Sequence, residues 1–130
     1  MKKSEETISI KNQTKGKLPS LPFENIKNKA LGKKYELSLV FIGDKLSKRL
    51  NTQYRGKNKP TNILSFPLSK DSGEIFINYK LAEKQAKKYE RKFSDFIGFL
   101  FIHGLMHLKG FEHSSRMEKQ EDKIRKFFNL

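Results

Sequence analysis

The stretch SDFIGFLFIHGLMHLKG, residues 94–110, decides the fold because it is apolar on nearly every side of a helix. A helix that is hydrophobic all round is buried, so this segment predicts a central helix around which the other elements pack. Ser94 offers an N-cap, and Gly110 can end the helix in a left-handed conformation. Two histidines, His103 and His107, interrupt the apolar surface one helical turn apart.

Strand and helix patterns alternate before this helix. Residues 7–10 predict a short strand, and in residues 35–43 apolar side chains alternate as on a half-buried strand. Asp44 stands where an N-cap would, ahead of a helical pattern in which Leu46, Leu50 and Tyr54 share a face. Three further helices are predicted over residues 23–34, 79–90 and 115–128, the last packed through Met117, Ile124 and Phe127 or Phe128.

Residues 63–68 and 73–78 predict two antiparallel strands joined by a turn that contains Asp71 and Gly73. Strands and helices are therefore mixed along the chain. The pattern predicts an α+β fold in a single small domain, residues 1–130, with a mixed sheet of about four strands packed against about five helices.

The charge balance favours an anionic partner. Lys and Arg number 28 against 14 Asp and Glu, for a formal net charge of +14. Nucleic acid is the commonest partner of so basic a chain, although a coding bias toward Lys is an alternative explanation. The chain has no cysteine, which excludes disulfides and thiolate sites, so any metal must be held by His, Asp or Glu.

The sequence also predicts a cytoplasmic, soluble protein without a membrane partner. Residues 1–17 lack the apolar segment that a signal peptide needs. The longest apolar run, residues 96–102, is far too short to cross a bilayer.

All three histidines of the chain fall within residues 103–113. His103 and His107 share a helix face, and the break at Gly110 lets His113 approach them from the side. Three neutral imidazoles around one point leave a fourth position open for water, and zinc best suits three nitrogens without a thiolate. Nickel, copper and iron accept the same ligands. The alternative is ordinary core or surface histidines, but an unpaired imidazole in an apolar helix costs free energy.

The spacing H-x-x-x-H-x-x-G-x-x-H resembles the zinc motif of metzincin proteases, H-E-x-x-H-x-x-G-x-x-H. Those proteases need a Glu directly after the first His as general base. Gly104 occupies that position here, which disfavours peptide hydrolysis by that mechanism. Activation of water must then rely on the metal, on the substrate, or on a nearby group such as Glu112.

A basic loop precedes the predicted hairpin and carries Arg55, Lys57 and Lys59 ahead of a stiff turn at Pro60 and Thr61. Arg presents a planar fork that suits phosphate, and Lys presents a point charge. The loop is therefore a candidate phosphate-binding or RNA-binding element. The alternative is a solvated loop with no ligand.

These motifs together resemble one family. HGLMHLKGFEH, residues 103–113, is similar to the signature H-G-x-x-H-L-x-G-[YF]-[DE]-H of the bacterial YbeY family. YRGKNKPTNILSFP, residues 54–67, resembles that family's segment Y-R-x-K-x-x-P-T-[DN]-V-L-S-F-P. GEI, residues 73–75, is similar to its G-D-I segment. The three motifs occur in the family's order, and the similarity covers roughly residues 35–128.

The resemblance implies a small α+β fold and a metal-dependent endoribonuclease that prefers single strands. Such proteins act in ribosomal RNA maturation, notably at the 3′ end of the small-subunit RNA, and in ribosome quality control. Single-stranded RNA, ribosomal RNA and the small ribosomal subunit are the implied partners. Carried over, His103, His107 and His113 would bind one zinc ion per chain, and Arg55 would face the same cleft and hold the scissile phosphate.

Three positions depart from the family pattern: Glu74 replaces the usual Asp, Phe111 the commoner Tyr, and Glu112 the commoner Asp. The Glu112 side chain is one methylene longer than that of Asp. An acid–base or orienting role for its carboxylate is a prediction that depends on how far the side chain extends toward the metal site. The expected chemistry is metal-assisted cleavage of a phosphodiester, with Arg55 stabilising the charge that develops at phosphorus.

Two other functions compete with this hypothesis. The first is a non-catalytic RNA-binding ribosome assembly factor with a structural metal, which the high positive charge supports. Structural zinc sites normally have four protein ligands, however, and only three are evident. The second is a metallohydrolase that acts on a peptide or another small molecule.

Overall fold

The computed structural model describes residues 7–112 and 114–130, and within them it has four strands and five helices. In chain order these are β1 (Ile8–Asn12), α1 (Phe23–Leu31), β2 (Glu36–Ile42), α2 (Asp44–Arg55), β3 (Ile63–Ser69), β4 (Ser72–Asn78), α3 (Tyr79–Lys88), α4 (Phe93–Leu108) and α5 (Ser115–Phe127).

The strands form one mixed sheet in the order β1-β2-β4-β3. β1 pairs with β2 and β2 with β4 in parallel, while β3 runs antiparallel to β4. Parallel neighbours need a crossover connection, and helix α1 lies between β1 and β2 in the chain. The antiparallel pair needs only a short turn, which is why β3 and β4 are nearly contiguous. The predicted α+β class, with about four strands and about five helices, is confirmed.

Helix α4 is the central element, as its composition predicts. It packs against α1, α3 and α5 and against strands β3 and β4. Ile97, Phe101, Ile102, Leu105 and Met106 are all fully buried. Because this helix is packed on nearly all sides, a polar side chain on it needs a hydrogen-bond partner or a ligand. His103 and His107, near the end of the helix, are therefore candidates for such contacts.

Strand β2 is buried more extensively than the alternating pattern predicts. Leu39 and Phe41 belong to the main core with the apolar side chains of α4. Val40 and Ile42 point to the other face of the sheet and are also buried, at 6% and 1% exposure. Helix α2 lies against the sheet near β4, so both faces of the sheet are covered in part.

Three local sequence predictions were wrong in detail. Gly43 rather than Asp44 is the N-cap of α2, and the Asp44 carboxylate accepts a hydrogen bond from Asn78 Nδ2 at 2.7 Å. Ser94 lies inside α4, whose N-cap is Lys92. Gly73, which the sequence places both in the turn and at the start of a strand, belongs to strand β4, where it pairs with Pro67. The hydrogen bond between Asp44 and Asn78 and the pairing of Gly73 with β3 are contacts between elements, which the pattern within one element does not show.

The sequence pattern predicts the burial of aromatic side chains less well at helix ends than in the core. Phe128 packs against the core, whereas Phe127 is 63% exposed, which decides between the two candidates for α5. Tyr54, which the sequence pattern places on the apolar face of α2, is 59% exposed, and Tyr89, the C-cap of α3, is 57% exposed. Within residues 7–112 and 114–130, no helix has the length and apolar character needed to cross a membrane.

Lys27 on α1 is fully buried and joins the helix to the start of β2. Its ammonium donates to the carbonyl oxygens of Gly32, Lys33 and Tyr35 at 3.2, 3.2 and 2.8 Å. Burial lowers the pKa of Lys27 from its ordinary value, because desolvation disfavours the charged form. The hydrogen bonds satisfy backbone oxygens where the chain turns from helix to strand.

Candidate active site

The end of α4 is shaped by a Schellman turn. Gly110 is left-handed, with φ of 103°, as its position after the helix predicts. Its N–H donates to the carbonyl of His107 at 3.0 Å, and the N–H of Phe111 donates to that of Met106 at 3.1 Å. The chain therefore leaves α4 and turns back toward α5 directly after the histidines. His113 lies outside the residues that the structure describes.

His103 and His107 come together at one point on α4. Their Nε2 atoms are 3.1 Å apart, and their rings meet edge to face with centroids 4.6 Å apart. Two nitrogens bound at ~2.0–2.1 Å to one tetrahedral zinc ion lie about 3.3 Å from each other. The observed spacing therefore fits two ligands of a single metal ion. Among the residues that the structure describes, which leave out His113, no three His, Asp or Glu side chains are grouped as they would be around a metal ion. The position of His113 as the third ligand therefore stays a prediction.

Sequence reasoning missed Glu121, which contacts the first histidine from α5. Its Oε2 lies 2.6 Å from Nδ1 of His103, and its side chain is only 9% exposed. An ionised carboxylate can only accept, so this contact requires a hydrogen on Nδ1, and in the neutral imidazole the lone pair then lies on Nε2, away from Glu121. This is the arrangement in which a carboxylate orients a metal-binding imidazole. The available signal was an acidic residue on the buried stripe formed by Met117 and Ile124.

Glu112, the carboxylate suggested by sequence, is exposed at the end of the turn. Among the described contacts, Glu121 is the carboxylate that lies within hydrogen-bond distance of His103. An acid–base role for Glu112 stays a prediction.

The two histidines open onto a cleft of about 700 Å³ beside the edge strand β3. Arg55, at the end of α2, lines the same cleft, although it is separated from His103 by almost 50 positions in the chain. Lys57 and Lys59 do not line it and are exposed on the adjoining loop. The fold thus brings together three of the predicted site residues and leaves the two lysines at the periphery.

Buried polar side chains hold this loop against α2. Ser47 is 1% exposed, and its hydroxyl both donates to the carbonyl of Thr61 at 2.7 Å and accepts from the Thr61 N–H at 2.9 Å. Asn51, also 1% exposed, donates from Nδ2 to the carbonyl of Lys59 at 2.8 Å. Gly56 ends the helix in a left-handed conformation with φ of 69°. The loop that follows Arg55 and reaches the cleft at Thr61 is therefore held to α2 by hydrogen bonds from buried side chains.

Gly104 has a structural role of its own. A Cβ at this position would lie 2.9 Å from Ile63 Cδ1, 3.0 Å from Ile75 Cδ1 and 3.0 Å from Ser65 Oγ. The Ser65 hydroxyl also donates to the Gly104 carbonyl at 3.3 Å. The absence of a side chain lets α4 approach the sheet closely. A Glu here would meet the sheet, so the protease's general base cannot be accommodated in this packing.

Comparison with known proteins agrees with this geometry. The sequence profile of the family described as Endoribonuclease YbeY matches residues 1–129. A relative named Endoribonuclease YbeY from Alkaliphilus metalliredigens is 40% identical over 98 residues, which cover 67% of this chain and 63% of that protein. The match thus spans under two thirds of that relative's length. A relative of the same name from Aliarcobacter butzleri is 35% identical over 130 residues, covering 92% of this chain and 91% of the relative.

A solution structure of a protein from Thermotoga maritima has a similar fold. The TM-score is 0.63 and the sequence identity 29%, with 90% of this chain and 85% of the other covered. The sequence profile extends over both the histidine motif and the Arg55 loop. The chain belongs to the Endoribonuclease YbeY family.

Proposed function

We propose that this chain is a metal-dependent endoribonuclease that cuts single-stranded RNA. We further propose that it matures the 3′ end of the small-subunit ribosomal RNA and takes part in ribosome quality control in the cytoplasm. The observation that carries the nuclease proposal is the shared cleft, which is lined both by the paired imidazoles of His103 and His107 and by Arg55. Family membership supports the same activity.

In this proposal His103, His107 and His113 hold one zinc ion, and the family signature supports the third ligand. Zinc would supply Lewis-acid chemistry, which lowers the pKa of water and offsets negative charge. Another divalent transition metal would suit the same imidazoles. Glu121 keeps the His103 ring in the tautomer that presents Nε2 to the cleft.

Arg55 binds the scissile phosphate. Its guanidinium can donate two parallel hydrogen bonds to phosphate oxygens, and these strengthen as negative charge develops in the transition state. The hydrogen bonds from Ser47 and Asn51 hold the loop that follows Arg55, so that little reorganisation is needed during reaction. Lys57 and Lys59 lie on that loop and add attraction for the flanking phosphates, which weakens as salt rises.

The test is cleavage of an end-labelled single-stranded RNA by wild type and by Arg55→Ala, each with and without a chelator. Loss of one preorganised donor to developing charge costs about 100- to 1,000-fold in rate. We expect wild type to cut, chelator to abolish cutting, and Arg55→Ala to fall by that factor while still binding zinc. Arg49→Ala is the matched control, because Arg49 lies on the same helix but lines a different groove.

Equal cutting by wild type and Arg55→Ala would contradict the role of Arg55. Retention of zinc by a wild type that does not cut free RNA or RNA in small ribosomal subunits would instead favour a non-catalytic assembly factor. The product ends identify the nucleophile. A cyclic phosphate or 3′-phosphate indicates the RNA 2′-hydroxyl, whereas a 3′-hydroxyl with a 5′-phosphate indicates water.

A further inference from the structure

An exposed aromatic side chain stands at the lip of the cleft. Tyr54 is 59% exposed although it lies near the end of an amphipathic helix. Its ring contacts Phe66 of β3, with centroids 5.0 Å apart and an interplanar angle of 56°. Phe66 in turn contacts Phe76 of β4 at 5.8 Å. Tyr54 is thus supported from the sheet side while more than half of its surface is open to solvent.

The position of this aromatic pair relates it to the proposed chemistry. Tyr54 and Phe66 line the same cleft as Arg55 and the two histidines. Tyr54 directly precedes Arg55, so a ligand phosphate held by the arginine would place a neighbouring base within reach of the tyrosine ring. A nucleotide offers that combination of charged phosphate and flat base.

The charge of the cleft selects the same kind of ligand. Among the described residues that line it, none is acidic and Arg55 is cationic. The groove on the other side of His103 differs, since three acidic residues, Glu118, Glu121 and Asp122, line it together with one cation, Arg125. A polyanion such as RNA would therefore enter from the side of Tyr54, where the basic loop also lies.

We propose that Tyr54, backed by Phe66, is a stacking site for one unpaired base of the RNA, next to the phosphate that Arg55 binds. This inference rests on the proposed nuclease function. Stacking tolerates any base, because every base has a π-face. A base inside a duplex is already covered on both faces and cannot be offered to the ring. The site therefore gives a physical reason for preferring single strands.

The experiment measures RNA binding by the full chain in the presence of a chelator, so that bound RNA is not cut. Fluorescence anisotropy with a labelled 12-nucleotide single strand gives the Kd for wild type, Tyr54→Ala and Tyr54→Phe. Removal of one stacked base contact weakens binding by about 5- to 150-fold. We expect that loss for Tyr54→Ala and a change of less than about twofold for Tyr54→Phe, which keeps the ring.

Tyr89→Ala is the matched control, because Tyr89 is 57% exposed but does not line the cleft. A second series of RNAs carries a single abasic nucleotide at each position in turn. Wild type should lose affinity at one position, and Tyr54→Ala should be insensitive to the abasic change at that position. A blunt duplex of the same length should bind wild type and Tyr54→Ala equally.

The outcomes separate this inference from the proposed function. If wild type neither binds nor cuts RNA, the proposed function fails and the stacking site fails with it. If wild type binds and cuts single strands but Tyr54→Ala matches it, only the stacking site is refuted. The stacking site is also refuted if Tyr54→Ala binds RNA more weakly than wild type but loses as much affinity as wild type does at every abasic position. That result would indicate a general change in the surface rather than a base contact.

Discussion

Replacement of Glu121 should weaken zinc binding without unfolding the chain. The carboxylate contacts His103 Nδ1 at 2.6 Å and is only 9% exposed, so the hydrogen bond is charge-assisted and poorly screened. Mutation of a group that orients a metal-binding imidazole typically costs about 10- to 100-fold in metal affinity, or about 1.4–2.7 kcal/mol. Glu121→Gln should lie near the lower end, since its carbonyl can still accept from Nδ1–H. Glu121→Ala should lie near the upper end.

The assay is competition for zinc between the protein and a chromophoric chelator at fixed pH. Glu118→Gln is the matched control, because Glu118 is exposed on the same helix about one turn earlier. His107→Ala gives the value expected when a proposed ligand itself is lost. Nitrogen chemical shifts of the His103 ring report its tautomer. These shifts should stay as in wild type in Glu121→Gln. In Glu121→Ala they should indicate a mixture of the two tautomers.

Circular dichroism and urea unfolding, both measured with chelator present, separate an effect on the metal site from an effect on the fold. If Glu121→Ala stays folded and binds zinc as tightly as wild type and Glu118→Gln, the carboxylate does not orient His103 toward a metal. Reduced affinity in Glu118→Gln to the same extent would show that helix charge, rather than the contact with His103, is responsible.

Three further predictions concern the fold and the loop. Lys27→Met should lower the free energy of unfolding by about 1–3 kcal/mol in urea titrations, since the buried carbonyl oxygen of Tyr35 loses its donor; an unchanged midpoint of unfolding would contradict this. Gly104→Ala should cost about 1–3 kcal/mol in the same assay, because its Cβ would approach Ile63 to 2.9 Å; stability equal to wild type would show that α4 can shift freely. Replacing Lys57 or Lys59 by Ala should make the log–log salt dependence of RNA binding shallower by about 0.7 each; an unaltered slope would mean that they contact no phosphate.

Much of the fold could be predicted from the sequence because its strongest signals are local. The pattern of residues 94–110, which is apolar on nearly every side of a helix, is incompatible with an exposed helix, so the central position of α4 follows from burial alone. Gly110 follows from the preference for glycine in left-handed helix ends. The close approach of His103 and His107 follows from helix geometry, since residues four apart share a face. The errors at Asp44, Ser94 and Gly73 lie at element boundaries, where sequence patterns are least specific.

Other features were decided only by tertiary structure, because they depend on elements distant in the chain. The sequence offers Arg55 and the histidines as separate candidates, and the packing of α4 beside β3 places them in one cleft. The carboxylate that touches His103 comes from α5, and although Glu121 lies on the buried stripe of that helix, only the packing of α5 beside α4 brings it to His103. Helix periodicity predicts a packed Tyr54, yet the position of β3 leaves its ring open at the cleft. Periodicity specifies which face of an element is apolar, whereas the neighbour across that face depends on how the elements pack together.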